Sequence, residues 1–135
     1  MKVISFLNKN KKEDAEILYQ LFNDSDLLFL PTRADCIPIV FCEANAFGLL
    51  VLSSDTGGIT SVIKNVENGF VLPFDATPLM YPDKIIELIE DETQYVYMCK
   101  QSRIIFEKEL NWGMWAIAIK EILTKMANKP FSNHI

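Results

Sequence analysis

Two acidic residues, Asp35 and Glu43, lie eight positions apart, one on each side of a predicted helix start at Pro38. At ~100° per residue, eight helical steps bring two side chains to within ~80° of the same azimuth. We therefore expect both carboxylates to face one cleft from different depths. Glu43 could there accept hydrogen bonds from two hydroxyls, such as those of a ribose. Two structural roles stay open, because Asp35 suits a plain helix N-cap and Glu43 suits a solvated helix position.

Backbone groups beside these acids suit an electron-rich ligand. Free N–H groups near residues 36–40, at the positive end of a helix dipole, favour a phosphate or a sugar oxygen. The segment Thr56-Gly57-Gly58 repeats this design, because two glycines let the backbone approach a ligand closely, although such pairs also form plain turns. The basic residues Lys9, Lys11 and Lys12 are interpreted as a solvated loop rather than as a phosphate clamp.

The elements that must position these groups alternate between short apolar runs and helical periodicity, which is typical of parallel strands joined by crossover helices. The predicted strands are residues 3–7, 26–30, 49–53 and 70–72, of which 26–30 reads as buried on both faces. The predicted helices cover 13–22, 38–47, 60–64, 83–90, 93–110 and 112–126. The predicted fold class is therefore α/β: a three-layer, Rossmann-like parallel sheet of about four strands with a helical C-terminal tail over residues 93–127. In such sheets, ligands bind beyond the carboxyl ends of the strands.

Composition excludes several classes of function. The chain has 135 residues, 50% of them hydrophobic, which is enough for one core without disulfides. Its net charge of -5 disfavours nucleic-acid binding. Three cysteines without a secretory signal favour a reducing, cytoplasmic location. The only histidine is His134 and no CxxC spacing occurs, so no metal site is expected.

Two further ligand classes are disfavoured by missing motifs. No G-x-G-x-x-G follows a predicted strand, as a dinucleotide site would require. No acidic cluster near residues 3–7 could hold the metal of a phospho-accepting receiver domain.

Residues 25–73 resemble the nucleotide-sugar half of the family-4 retaining glycosyltransferases, which have the GT-B fold. The hallmark of that family is an acid, a glycine-aromatic-glycine turn, a Glu eight positions after the acid, then Ala and a G-x-P-V-V strand. Residues 35–52 here read DCIPIVFCEANAFGLLVL. DTGGI at 55–59 is similar to the Gly-Gly loop of the family, and NGFVLP at 68–73 to its N-G-F-L-V strand. The resemblance extends to VISFL at 3–7 and to Asn111-Trp112.

The resemblance implies a role for each site residue. Glu43 would bind the ribose hydroxyls of the donor, and Asp35 would be the catalytic residue, which contacts the transferred sugar and helps to stabilise oxocarbenium-like charge. The other implied donor-binding residues are Cys36, Ile37, Pro38, Ile39, Val40, Thr56, Gly57 and Gly58, with Arg33 as a secondary candidate.

The resemblance also implies the ligands. The donor would be a UDP-, GDP- or ADP-linked sugar, and the acceptor an unidentified sugar or lipid in carbohydrate biosynthesis. No metal or cofactor would be needed, because helix dipoles and basic side chains neutralise the leaving diphosphate.

Departures from the family pattern favour an incomplete site. Cys36 and Pro38 replace flexible glycines, and Pro38 removes an N–H donor. The family has a strand and helix with an Arg and a Lys that clamp the diphosphate, and no such segment precedes Val3. Residues 1–135 are therefore expected to form one partial donor-binding domain, half of a GT-B fold, inactive by itself.

A second hypothesis is that the chain is a catalytically inactive, truncated or split paralogue that serves as a binding or oligomerisation module. It would pair with a partner chain or an N-terminal domain, or form a homodimer, through the sheet edge at residues 3–7, since unpaired edges favour such pairing.

Overall fold

The computed structural model describes residues 3–128 and shows an α/β fold built on a parallel sheet. Its three strands are β1 (Leu27–Leu30), β2 (Leu50–Ser54) and β3 (Gly69–Leu72), in that spatial order. In the register of the sheet, Leu27 lies opposite Leu50, and Val51 lies opposite Gly69. Because all three strands are parallel, the loops that follow them leave the sheet at the same end, the carboxyl end of the strands.

The helices follow the predicted pattern closely. They are α1 (Lys12–Asn23), α2 (Ile39–Ala46), α3 (Met80–Glu90), α4 (Glu92–Ile105) and α5 (Trp112–Ala127). A single 3₁₀ turn at Ile59–Ser61 replaces the predicted helix over 60–64.

The predicted helix over 93–110 is interrupted by a π-helical turn, Phe106–Leu110, between α4 and α5. The Asn111 amide nitrogen donates to the carbonyls of Phe106, at 3.0 Å, and Glu107, at 2.8 Å. The Asn111 amide oxygen accepts from the N–H of Met114, at 3.0 Å, and so caps α5. One side chain thus ends the turn and starts the next helix.

Helices cover both faces of the sheet, which confirms the three-layer arrangement. One face packs against α1 and α2 and the other against α3 and α4. The first core contains Phe22, Phe41, Ala44, Leu49, Val51, Ile59, Val62, Ile63 and Val71. The second contains Leu50, Leu52, Phe70, Leu72, Leu88 and Met98.

The prediction of a strand at residues 3–7, and so of a sheet with four strands, is wrong. This segment has no strand pairing, and Val3 and Phe6 are 80% and 90% exposed. The prediction that residues 26–30 are buried on both faces is also wrong, because β1 is an edge strand and its Phe29 is 47% exposed. A strand forms only where a neighbouring strand satisfies its N–H and C=O groups, and among residues 3–128 nothing pairs with residues 3–7.

A buried pair of amides, Asn45 and Asn68, connects α2 to the turn before β3. The Asn68 side-chain nitrogen donates to the Asn45 amide oxygen, at 2.7 Å, and to the Val62 carbonyl, at 2.9 Å. Its oxygen accepts from the N–H of Lys64 at 2.7 Å. The Asn45 nitrogen donates to the carbonyl of Leu49 at 3.2 Å. Both residues are fully buried, so these bonds satisfy polar groups that water cannot reach.

We expect Asn68→Ala to lower the free energy of unfolding by about 2 to 3 kcal/mol, because it leaves buried partners without hydrogen bonds. Urea denaturation followed by circular dichroism measures the change. Asn23→Ala, at the exposed end of α1, is the matched control and should change the free energy of unfolding by less than about 0.5 kcal/mol. Equal losses in the two variants would contradict the role of the buried network.

Candidate functional site

The loop after β1 and the loop after β2 contact each other at the carboxyl end of the strands. The N–H of Gly58 donates to the Cys36 carbonyl at 2.7 Å. Gly57 has φ +55°, and a Cβ there would lie 2.2 Å from the Asp35 carbonyl oxygen. A Cβ on Gly58 would lie 2.9 Å from the Ile37 side chain. Gly57 is therefore required for the loops to meet, whereas a side chain at 58 would displace only the end of the Ile37 side chain. Residues 35–37 lie against residues 57–58, as the parallel topology predicts.

Helix α2 begins directly after this junction, and Asp35 is not its N-cap. Pro38 occupies the cap position without a side-chain hydrogen bond, so the plain N-cap interpretation of Asp35 is wrong. Asp35, Cys36 and Ile37 are exposed. Among the described residues, no acceptor is bonded to the N–H groups of Ile39 and Val40. The positive end of α2 therefore carries free donors, as expected for a helix end that can receive an anion.

Glu43 lies on the outer side of α2, because Phe41 and Ala44 turn into the core. Its side chain is 30% exposed and forms an ion pair with Lys9, through the Glu43 Oε1 atom. The sequence does not predict this contact, since Lys9 is interpreted there as part of a solvated loop. The two residues are 34 positions apart, so no local spacing could have revealed the pair.

A groove of about 310 Å³ lies over Glu43, bounded by α1, α2 and the start of α5. Aromatic side chains form part of its wall, and we call it the aromatic groove. The ring centroids of Phe22 and Phe47 lie 5.3 Å apart, and those of Tyr19 and Phe47 lie 5.9 Å apart. The groove is lined by Lys9, Leu18, Tyr19, Phe22, Ile39, Cys42, Glu43, Ala46, Phe47, Phe106, Leu110, Asn111 and Trp112.

The environment of this groove raises the pKa of the Cys42 thiol, through burial first and then through the Glu43 charge. A raised pKa keeps Cys42 protonated at neutral pH. The thiol is therefore a weak nucleophile and acts as an apolar part of the wall.

Arg33 lies in another place. It lines a separate groove of about 550 Å³, together with Phe29 of β1, Ser54 at the end of β2, Phe74 after β3, and Tyr81 of α3. Asp35 and the Thr56–Gly58 segment do not line either groove. The structure thus brings residues 35–37 to the glycine loop, brings Glu43 and Ile39 to the aromatic groove, and places Arg33 at a different groove.

Metal-binding clusters and membrane-spanning helices are both absent from residues 3–128. No group of three or more His, Cys, Asp or Glu side chains there is close enough to hold a metal ion. No helix in that range has both the length and the apolar character needed to cross a bilayer. His134 lies outside the described residues.

One curated relative shares part of this sequence. "Spore coat protein SA" of Bacillus subtilis (strain 168) is 26% identical over 110 residues, which cover 81% of this chain and 28% of the relative. The chain therefore spans 28% of the length of that relative.

The sequence profile of the family described as "Glycosyl transferases group 1" matches residues 2–105, from before α1 to the end of α4. The match includes both loops of the junction, the whole of α2 and the Lys9–Glu43 pair. Because it covers well over half of the 135 residues, the chain belongs to the group 1 glycosyltransferase family.

Proposed function

We propose that this chain binds the nucleotide-sugar donor of a retaining glycosyl transfer. Family membership supports glycosyl transfer in general, and the donor site is our inference from the geometry. The observation that carries it is the half-buried Glu43 carboxylate, which one ammonium group holds at the wall of a groove. A carboxylate in such a place accepts strong, charge-assisted hydrogen bonds from a ligand with two adjacent hydroxyls.

The donor would lie with its ribose hydroxyls on Glu43 and its diphosphate toward the start of α2. The unbonded N–H groups of Ile39 and Val40 and the helix dipole would stabilise the negative charge that grows on the leaving diphosphate. Asp35, exposed on the preceding loop, would contact the sugar and stabilise the positive charge that develops at its anomeric carbon. We propose that no metal ion takes part.

The proposed reaction is hexosyl transfer from a UDP-, GDP- or ADP-linked sugar to a sugar or lipid acceptor, with retention of configuration. Transfer requires that donor and acceptor be held against each other in a cleft with two walls. We propose that these 135 residues supply the donor wall and do not transfer sugar alone. The proposed setting is carbohydrate biosynthesis in the cytoplasm.

Calorimetric titration with UDP, GDP and ADP and their sugars, each in EDTA and again with Mg²⁺, tests this proposal. We expect at least one of them to bind, and Glu43→Ala to weaken that binding at least about tenfold, since charge-assisted hydrogen bonds contribute about 1.5 to 3 kcal/mol each. Glu67→Ala, in the exposed turn before β3, removes the same charge and should leave binding unchanged.

Two results would contradict the donor-binding proposal. One is the absence of heat with every nucleotide at millimolar concentration, both in EDTA and with Mg²⁺. The other is an equal loss of affinity in the Glu43 and Glu67 variants. A strict need for Mg²⁺ would contradict the metal-free part alone.

A second candidate function, a self-associating module, is favoured by the free edge of β1. Each strand has two edges, and within residues 3–128 β1 pairs only with β2. Phe29 of β1 is 47% exposed. Two copies of the chain could pair β1 with β1 across a two-fold axis and cover both Phe29 side chains. The sequence predicts pairing through an unpaired edge at residues 3–7, and the edge proposed here is that of β1 instead.

Light scattering over a concentration series tests this candidate. We expect a dimer at micromolar concentrations and a monomer for Phe29→Lys, because an edge lysine opposes strand pairing. Ile89→Lys, on the exposed side of α3, introduces the same charge away from the edge and should leave the dimer intact. A wild-type monomer at every concentration would exclude the homodimer.

A further inference from the structure

We infer that Lys9 is a positioning residue for the Glu43 carboxylate, and that it holds one oxygen of that group while leaving the other to the ligand. This inference rests on the proposed donor site. It concerns a residue outside the two loops of the junction and outside α2, and it explains how the Glu43 side chain keeps its orientation in the groove.

The loop that carries Lys9 is held firmly by its own hydrogen bonds. The Asn8 carbonyl accepts from the N–H of Lys11 at 2.9 Å, and the Asn8 side-chain oxygen accepts from the N–H of Asn10 at 3.0 Å. The Asn8 N–H donates to the Asp14 carboxylate, in the first turn of α1, at 2.9 Å. The turn is thereby fixed to the helix, and Lys9 lies at its second position.

The charges around Glu43 are few. Lys9 and Glu43 are the two charged residues among those described that line the groove, and most of the others are apolar. A carboxylate on such a surface loses hydration, which disfavours its inward orientation unless a cation lies beside it. Lys9 supplies that cation. Without Lys9, the Glu43 carboxylate would be better hydrated if it turned toward solvent.

The ion pair leaves room for a ligand. Within residues 3–128, the Lys9 ammonium is the one polar partner of the Glu43 side chain, and it bonds to Oε1. The Oε2 atom and the remaining lone pairs of Oε1 can accept hydroxyl donors. Lys9 therefore prepares the acceptor for a diol instead of competing with it.

The experiment compares Lys9→Met, Lys9→Arg and Lys11→Met by titration with uridine and UDP, guanosine and GDP, and adenosine and ADP. Lys11→Met is the matched control, because Lys11 lies exposed in the same loop and its loss changes the net charge equally. We expect Lys9→Met to weaken the binding of the nucleoside and of its diphosphate by the same factor, about three- to tenfold. Lys9→Arg should bind within twofold of the wild type, and Lys11→Met should show no change.

A double-variant cycle adds a measurement that loss of structure would not reproduce. If Lys9 acts through Glu43, Lys9→Met makes no further change in diphosphate affinity when Glu43 is already Gln. Circular dichroism of each variant checks that the fold is kept.

Each other outcome has a distinct meaning. If the wild type binds no nucleotide, the proposed function fails and this inference fails with it. If Glu43→Gln weakens binding while Lys9→Met equals Lys11→Met, the donor site stands and the role of Lys9 is overturned. If Lys9→Met weakens the diphosphate far more than the nucleoside, or adds its full effect in the Glu43→Gln background, Lys9 contacts phosphate and the positioning role is overturned.

Discussion

The arrangement of this protein depends on the burial of β2. All five residues of β2, Leu50–Ser54, are buried, and the strand pairs on both edges. Alternate side chains enter the two cores, so the strand needs a helical layer on each side. Ser53 and Ser54 also bond back to the neighbouring chain: the Ser53 hydroxyl donates to the Leu30 carbonyl at 2.8 Å, and the Ser54 hydroxyl donates to the Thr32 carbonyl. These bonds fix where β1 ends and where its loop begins.

The candidate site follows from that constraint. Because β1 and β2 run in parallel and end together, their loops meet, and the glycines at 57 and 58 allow contact with residues 35–37. Helix α2 must then place Phe41 and Ala44 in the core, which turns Glu43 outward. The same packing that stabilises the sheet thus exposes a carboxylate beside the turn that carries Lys9.

Much of this could be predicted from the sequence. Strands β2 and β3, helices α1 to α3 and α5, and the meeting of the two loops follow from local apolar patterns, glycine and proline positions, and the general behaviour of parallel sheets. The segment 3–7 has the same apolar character as β3 and yet forms no strand. An apolar pattern reports what a segment can bury, and the presence of a partner strand decides whether it does.

The sequence by itself determined the α/β class, the order of the central strands along the chain, and the acid-loop-helix pattern that marks the family, because each is encoded in residues close together in the chain. The tertiary structure alone decided that Lys9 pairs with Glu43, that Arg33 lies in a different groove, and that β1 is an edge. These facts depend on which distant segments approach each other. Such contacts are set by how the helices and strands pack together, and local periodicity carries no record of that packing.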